Sequence, residues 1–465
     1  GEFEGRAGEP PLPRPSPQKT LTKNMPFNLY LRAPGERRRP SEGMEAIIHL
    51  DETGVPGYPL HHNFGQLLVS PQPPGEVLEA FLLAALGVWA GDKFFPRKLA
   101  ADAWTREIVL HLPTAAPWVP LVPRLAPLLN FLTGDKWTLK PREVRVDLGF
   151  SGSWTHSWLP DAVCLLSGGL DSLIGAIDLL EKGQRLILVS HYDYGQLASS
   201  QQALAAALAT HYGPDAFYHL ALRVQFPETR EFSLRSRSLL FLALGVTVAG
   251  AFPGNLPLVV PENGWISLNP PLTLSRLGTY STRTTHPYFL HELTALWREA
   301  GIATPLLNPY QHLAKGEMLA RCRNPGLLKK LYSLTSSCAR PEVGRWQRQA
   351  AGACGYCYPC LIRRAALHRL GWDEGNDYRR DVLSAPEILR QRVQGSDLRA
   401  LLLGWQTWEA SPQEMEARLL LAGAPTTLPE QWTAAHRVLS AGFEEIGHLL
   451  QDKAPKLIKA YLGQD

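Results

Sequence analysis

Six consecutive residues, Ser167-Gly168-Gly169-Leu170-Asp171-Ser172, combine two glycines, two hydroxyls and one carboxylate directly after the apolar run Ala162 to Leu166. Residues of these types in this order suit pyrophosphate. Adjacent glycines let the main chain approach phosphate oxygens, and the N–H groups of the turn and of a helix beginning near Asp171 point at them. Ser167 and Ser172 add hydroxyl donors. No lysine follows the glycines, so the loop is not the kind that reaches for a γ-phosphate. The chemistry implied is activation of a substrate with ATP.

The cysteines form a second constellation. Cys354, Cys357 and Cys360 are spaced C-x-x-C-x-x-C, and Cys338 lies upstream with fifteen residues between it and Cys354. Four soft thiolates at this spacing can close a tetrahedron around zinc. A cubane iron–sulfur cluster also uses four thiolates, but a ferredoxin-type run puts its proline after the last cysteine, whereas Pro359 lies between two of these. Disulfides require an oxidising compartment, and free thiols are the bland alternative. Zinc is the expectation, with iron–sulfur second. Ser336 to Tyr358 has little apolar surface to bury, and a closed four-thiolate site contributes on the order of 10 kcal/mol of folding free energy. Cys164 is expected in the core, and Cys322 has no visible partner.

These groups need elements to hold them. Ala162 to Leu166 reads as a buried strand, Leu173 to Leu180 as a helix stopped by Gly183, and Arg185 to Ser190 as a second buried strand. That strand runs into Asp193-Tyr194-Gly195-Gln196. Leu239 to Phe252 is the longest apolar run, shorter than the roughly 18 to 20 residues that cross a bilayer, and reads as a buried helix ended by Pro253-Gly254. After Cys360, Leu361 to Leu370 is a predicted helix whose Arg363, Arg364, His368 and Arg369 are expected on a solvated face.

The S-G-G-x-D-S loop resembles that of the PP-loop ATP pyrophosphatases, which cleave ATP between its α and β phosphates. D-Y-G-Q after the second strand, Asn308-Pro309-Tyr310, Lys315, Met318 and the C…C-x-x-C-x-x-C run are together similar to the 7-cyano-7-deazaguanine synthases, the QueC-like branch of those enzymes. Arg237-Ser238 stands where that family usually has Arg-Asn. The resemblance covers about residues 161 to 375. It implies an α/β fold with a doubly wound, Rossmann-like parallel sheet of the HUP type. It also implies adenylation of the carboxylate of 7-carboxy-7-deazaguanine by ATP with Mg²⁺, followed by attack of a nitrogen nucleophile. Carried onto this chain, Ser167, Gly168, Gly169, Leu170, Asp171 and Ser172 hold ATP, and Ser167, Asp171, Ser172 and Lys315 are the candidate catalytic residues. Asp193, Tyr194, Gln196, Arg237, Asn263 and Arg283 are candidates for the substrate. Cys338, Cys354, Cys357 and Cys360 are the expected zinc ligands.

The flanks divide off by composition. Residues 1–24 are proline-rich and read as an extended tail, or in part as a cloning scar. Residues 25–158 read as a small α+β domain, with strands at Ala46 to Leu50, Arg106 to Leu112 and Glu143 to Leu148 and helices at Val77 to Trp89 and Leu121 to Phe131. Trp104-Thr105-Arg106 and Phe131-Leu132-Thr133-Gly134-Asp135 are read as packing and turn residues. Residues 159–375 are the ATP-binding domain, with the zinc site at 338–360. Residues 376–465 read as helices at Ala385 to Val393, Asp397 to Thr407, Pro412 to Leu421 and Pro429 to Lys453.

A hydroxyl-rich run, Ser281-Thr282-Arg283-Thr284-Thr285-His286-Pro287, is bounded by prolines and follows Arg276 and Gly278; it suits an anion or nucleobase, with Arg283 as its cation. This run and the two flanking domains resemble the QueC-like proteins of bacterial anti-phage defence operons, in particular the QatC group. In those relatives the resemblance implies a partner-protein amine as nucleophile; in the housekeeping synthase it is ammonia. A PP-loop tRNA-modifying enzyme is the alternative from another class. With 47 basic against 43 acidic residues the net charge is +4, which gives no argument for nucleic acid. No membrane span or signal peptide is visible, and the cytoplasm is the expected compartment.

Overall fold

A computed structural model describes residues 26–37, 40, 43–65, 70–150, 154–277, 283–340, 353–423 and 429–463. The tail over residues 1–24, and Gly278, Ser281 and Thr282 before Arg283, lie outside the described residues.

Residues 26–150 fold around five strands: β1 (Phe27–Leu31), β2 (Ala46–His49), β3 (Tyr58–Pro59), β5 (Glu107–Thr114) and β6 (Lys136–Glu143). Strand β4 (His61–His62) leaves this unit to pair antiparallel with a strand of the central sheet. The sheet order is β3-β2-β1-β5-β6 and every pairing is parallel. Helices α1 (Glu76–Phe94) and α2 (Val122–Thr133) make the crossovers. This corrects the α+β expectation: the unit is itself α/β. The strand expected over Glu143 to Leu148 is also corrected, because β6 lies one element earlier. The N–H groups of Val146 and Leu148 are taken by Glu76 Oε1 at 3.2 Å and Glu79 Oε2 at 2.5 Å, side chains of α1, instead of by a neighbouring strand.

The central domain runs β7 (Ala162–Leu165), α3 (Leu170–Leu180), β8 (Leu186–Tyr192), α4 (Gly195–Tyr212), β9 (Phe217–Gln225), α5 (Arg237–Gly250), β10 (Leu258–Val259), α6 (Gly264–Leu268), α7 (Pro287–Ala300), β11 (Leu306–Leu307), α8 (Lys315–Ala320) and α9 (Pro325–Leu331). Its sheet order is β11-β10-β7-β8-β9-β4, and the first five strands are parallel. The chain turns outward in both directions from β7, so the crevice at the carboxyl end of β7 is the switch point where open α/β sheets bind ligands. Strand β7 is buried on both faces, as its unbroken apolar run requires. Cys164 is fully buried there, as expected.

The two sheets share one hydrophobic core. Helix α1 is apolar nearly all round because it is covered on both sides. One side packs on its own sheet, where a Cβ at Gly87 would stand 3.0 Å from Leu31 and one at Gly91 3.2 Å from Leu29. The other meets α5, where Leu78 fills the space a side chain at Gly250 would need. The expected buried helix at 239–252 is α5.

A second cluster joins α6 and the cysteine segment to α10 (Tyr358–Arg369), α11 (Ser396–Ala410), α12 (Pro412–Ala422), α13 (Pro429–Lys453) and α14 (Lys456–Tyr461). The helix expected over Ala385 to Val393 is only a single 3-10 turn, Pro386–Arg390. Among the described residues no helix is long and apolar enough to cross a membrane.

Candidate active site

The loop between β7 and α3 has the geometry that its glycines permit. Gly168 has φ 89°, a conformation that costs other residues strain. Gly169 is extended and precedes the first turn of α3, whose leading amides have no partner within the helix. Ser167 Oγ accepts from Gly169 N at 3.2 Å and donates to Ser172 Oγ at 3.2 Å, and Ser172 Oγ donates to Gly169 O at 2.8 Å. The two hydroxyls therefore shape the loop on one side. Ser167 itself is exposed at the crevice.

Asp171 and Lys315 lie 144 residues apart and form a buried ion pair. The other oxygen of Asp171 accepts from Asn263 N at 3.2 Å and Asn263 Nδ2 at 2.6 Å. Burial alone would raise the Asp171 pKa, but the Lys315 charge and hydrogen bonds from Glu262, Lys315 and Asn263 bring it down to about 2. Glu262 moves the other way: burial and the neighbouring Asp171 charge push it well above its usual range. Asn308 clamps the same corner, with Nδ2 donating to Glu262 O at 2.9 Å. Asp171, Lys315 and Asn263 are brought together as a strut beneath the loop. Both carboxylate oxygens of Asp171 accept from the protein, Oδ1 from Lys315 and Oδ2 from Asn263.

At the carboxyl end of β8 the chain turns through Asp193 and Tyr194 into α4, which begins with Gly195 and Gln196. Gln201, one turn further on, donates to Ser167 O at 3.2 Å and to His191 O at 3.1 Å. Its Cγ would be 3.4 Å from a Cβ at Gly168. Arg237, at the start of α5, donates to His191 Nδ1 at 3.4 Å and to His191 O at 3.3 Å. Burial and the Arg237 charge hold His191 well below its normal pKa, so the neutral ring accepts from Arg237 and turns Nε2 to Val224 O at 3.4 Å. Buried Asp193 Oδ1, Gln201 Oε1 and Ser238 Oγ have no hydrogen-bond partner among the described residues. Such groups need a ligand or water.

Arg283 lies elsewhere. Its guanidinium donates to Phe131 O at 2.9 Å and to Ala422 O, and stacks 4.2 Å from the Phe131 ring. It ties α2 to α12, and the structure does not bring it to the phosphate loop. The hydroxyl-rich run missed this because the acceptors are main-chain carbonyls more than 130 residues away.

The four cysteine sulfurs lie within 4.8 Å of one another. Cys354–Cys360 is 3.9 Å and Cys338–Cys357 is 4.0 Å, close to the edge of about 3.8 Å that a tetrahedron with Zn–S bonds of about 2.3 Å requires. Main-chain amides point at them, with Cys354 N 3.3 Å from Cys338 Sγ and Cys357 N 3.4 Å from Cys354 Sγ. The cluster fits a zinc site. Arg363 and Arg364 are buried, which corrects the solvated-face expectation. Arg363 donates to Thr335 O, Thr335 Oγ1 and Tyr332 O, while Arg364 pairs with Asp373 at 3.0 Å and with Asp381. They stiffen the chain on both sides of the cysteines. Ser336, two residues before Cys338, donates its N–H to Gly168 O at 3.0 Å.

No family model matches the chain, and no solved structure matches it. Two curated relatives do. The 7-cyano-7-deazaguanine synthase of Parasynechococcus marenigrum (strain WH8102) is 46% identical over 235 residues, covering 45% of this chain and 93% of that protein. The 7-cyano-7-deazaguanine synthase of Novosphingobium aromaticivorans is 28% identical over 247 residues, covering 47% of this chain and 94% of that protein. Nearly the whole of each relative thus has its counterpart in less than half of this chain. A parallel α/β nucleotide-type site with a four-cysteine cluster is the class that the geometry defines. The chain belongs to the 7-cyano-7-deazaguanine synthase family.

Proposed function

We propose that the chain is an ATP-dependent, AMP-forming carbon–nitrogen ligase that activates the carboxylate of a 7-carboxy-7-deazaguanine. The observation that carries this reading is the glycine loop at the sheet's switch point, braced by Asp171 and Lys315 and facing the unsatisfied polar groups at the end of β8. The α3 amides and the hydroxyls of Ser167 and Ser172 receive pyrophosphate. A carboxylate oxygen of the substrate attacks the α-phosphorus, and the bond to the β-phosphate breaks with its electron pair leaving on pyrophosphate. The acyl adenylate gives a poor electrophile a good leaving group. A nitrogen nucleophile then attacks the acyl carbon, loses a proton and releases AMP. Mg²⁺ supplies charge neutralisation on the phosphates when bound. Zinc, held by Cys338, Cys354, Cys357 and Cys360, supplies folding energy and no step.

The nucleophile is proposed to be an amine of a partner protein, in the manner of the QatC group of defence proteins. The N-terminal α/β unit and the C-terminal helices, which exceed the length of the relatives, support this reading because a protein substrate needs a docking surface. The high identity to a synthase favours ammonia as the second reading. Intact-mass and nucleotide analysis after incubation with ATP, 7-carboxy-7-deazaguanine and either ammonia or operon-encoded proteins decides between them. A deazaguanine-sized mass gain on a protein, with AMP and pyrophosphate, is the expected result. Free nitrile from ammonia alone establishes the synthase reading, and ADP as product overturns both.

A further inference from the structure

Lys93 lies in the last turn of α1, outside the central domain, and is 6% exposed. Lysine is almost never buried to this degree without a partner. Its ammonium makes no hydrogen bond or ion pair among the described residues and stands 5.9 Å from the centroid of the Trp89 ring, one turn back on the same helix. Asp193 and Arg237 are both within electrostatic range, as are Asp92 and Glu231. Trp89 in turn meets the His191 ring edge-on at 6.1 Å. A run of contacts therefore leads from Ser167 through Gln201 and His191 to Arg237, Trp89 and Lys93.

The neighbour of Lys93 fixes this end of α1 to the site. Asp92 Oδ2 accepts from Ser236 Oγ at 2.7 Å and Ser236 N at 3.3 Å, at the N-terminus of α5, which has no cap of its own. Asp92 is held in turn by Arg106 at 2.5 Å, and Arg106 by Asp135 at 2.6 Å. The N-terminal unit thus orients the first turn of α5, from which Arg237 and Ser238 project. It presents Lys93 on the same side.

We propose that Lys93 is a substrate-binding residue supplied by the N-terminal unit, pairing with the carboxylate of the 7-deazaguanine beside Arg237. The proposal rests on the function proposed above. A carboxylate is the chemistry that fits, because two cations converge where no described group hydrogen-bonds the Lys93 ammonium, and Asp193, Asp92 and Glu231 act on it only at a distance. Asp193 and Gln201, whose unsatisfied oxygens lie at the same strand end, suit the N–H groups of the base.

The test is ATP–pyrophosphate exchange driven by 7-carboxy-7-deazaguanine, with wild type, Lys93→Met and Lys93→Arg. Lys93→Met should raise KM for the deazaguanine tenfold or more and leave KM for ATP within about twofold. Lys93→Arg should recover most of the loss. Inhibition by 7-deazaguanine, which lacks the carboxylate, should not change. The melting temperature of Lys93→Met should hold or rise, since an apolar isostere replaces an unpaired buried charge. A deazaguanine KM within twofold of wild type overturns the role of Lys93 while leaving the proposed function in place. No exchange with wild type overturns the proposed function and the role of Lys93 with it. Should Met prevent folding, Lys93→Gln carries the same comparison.

Discussion

The main-chain N–H of Ser336 donates to the carbonyl of Gly168 at 3.0 Å, joining the segment that leads to the cysteines to the loop that faces the crevice. A Cβ at Gly169 would lie 3.7 Å from Ser336 O, so the two segments are also in contact. The four-cysteine cluster and the glycine loop are consequently one mechanical unit.

Removing the metal should act on both. Purified protein is expected to contain about one zinc per chain, and chelation should lower the melting temperature and weaken ATP binding together. Metal analysis and calorimetry with ATP measure the two effects. Iron with acid-labile sulfide in their place would replace zinc by a cluster.

Lys315→Met should destabilise by about 3–5 kcal/mol, because it strands the Asp171 carboxylate in a buried site. Asp171→Asn combined with Lys315→Met should recover part of that loss. Urea unfolding of the two single variants and the double variant measures the coupling. Additive losses would mean that the pair is not coupled. The phosphate loop is thus not a surface fitting: Asp171 substitutions are expected to cost stability as well as rate.

Glu445 of α13 caps α8 from outside, accepting from Gly316 N at 2.9 Å and Glu317 N at 3.2 Å. Burial raises its pKa to about 7. A carboxyl raised in the folded state contributes stability below the unfolded pKa of about 4.5, and loses it as pH rises through 7. The wild type should lose on the order of 3 kcal/mol between pH 4.5 and 7.5 relative to Glu445→Gln. Parallel stability curves for the two proteins would contradict this.

Arg283→Ala should lower stability by about 1–3 kcal/mol, since two carbonyls and an aromatic face lose their cation. KM for ATP should stay within about twofold. A large KM effect without loss of stability would return Arg283 to the substrate site.

The loop and the cysteines were legible because their chemistry is local: six adjacent residues, and three cysteines at a fixed spacing, state their geometry without the fold. Strands β7 and β8 and helix α5 were legible as buried apolar runs. Lys93, Glu262, Gln201 and Glu445 carry no such signal. Each acquires its role from a partner brought close by topology, as Glu445 does from Gly316 at a separation of 129 residues. Strand β6 was missed although Lys136, Thr138 and Lys140 alternate with buried Trp137 and Leu139, the period of a half-buried strand, because the stretch has only two large apolar residues and runs into Pro141. Arg106 and Asp135, read as packing residues, are packing residues of an unusual kind, since their buried pairing holds Asp92 beneath α5.

The seam between α1 and α5 has a further consequence. Leu78 occupies the notch at Gly250, and Asp92 supplies the cap that α5 lacks. A chain lacking residues 26–150 would expose that notch and leave the helix carrying Arg237 without the Asp92 cap. The central domain is therefore expected to lose stability when residues 26–150 are removed, and the two units are expected to unfold together.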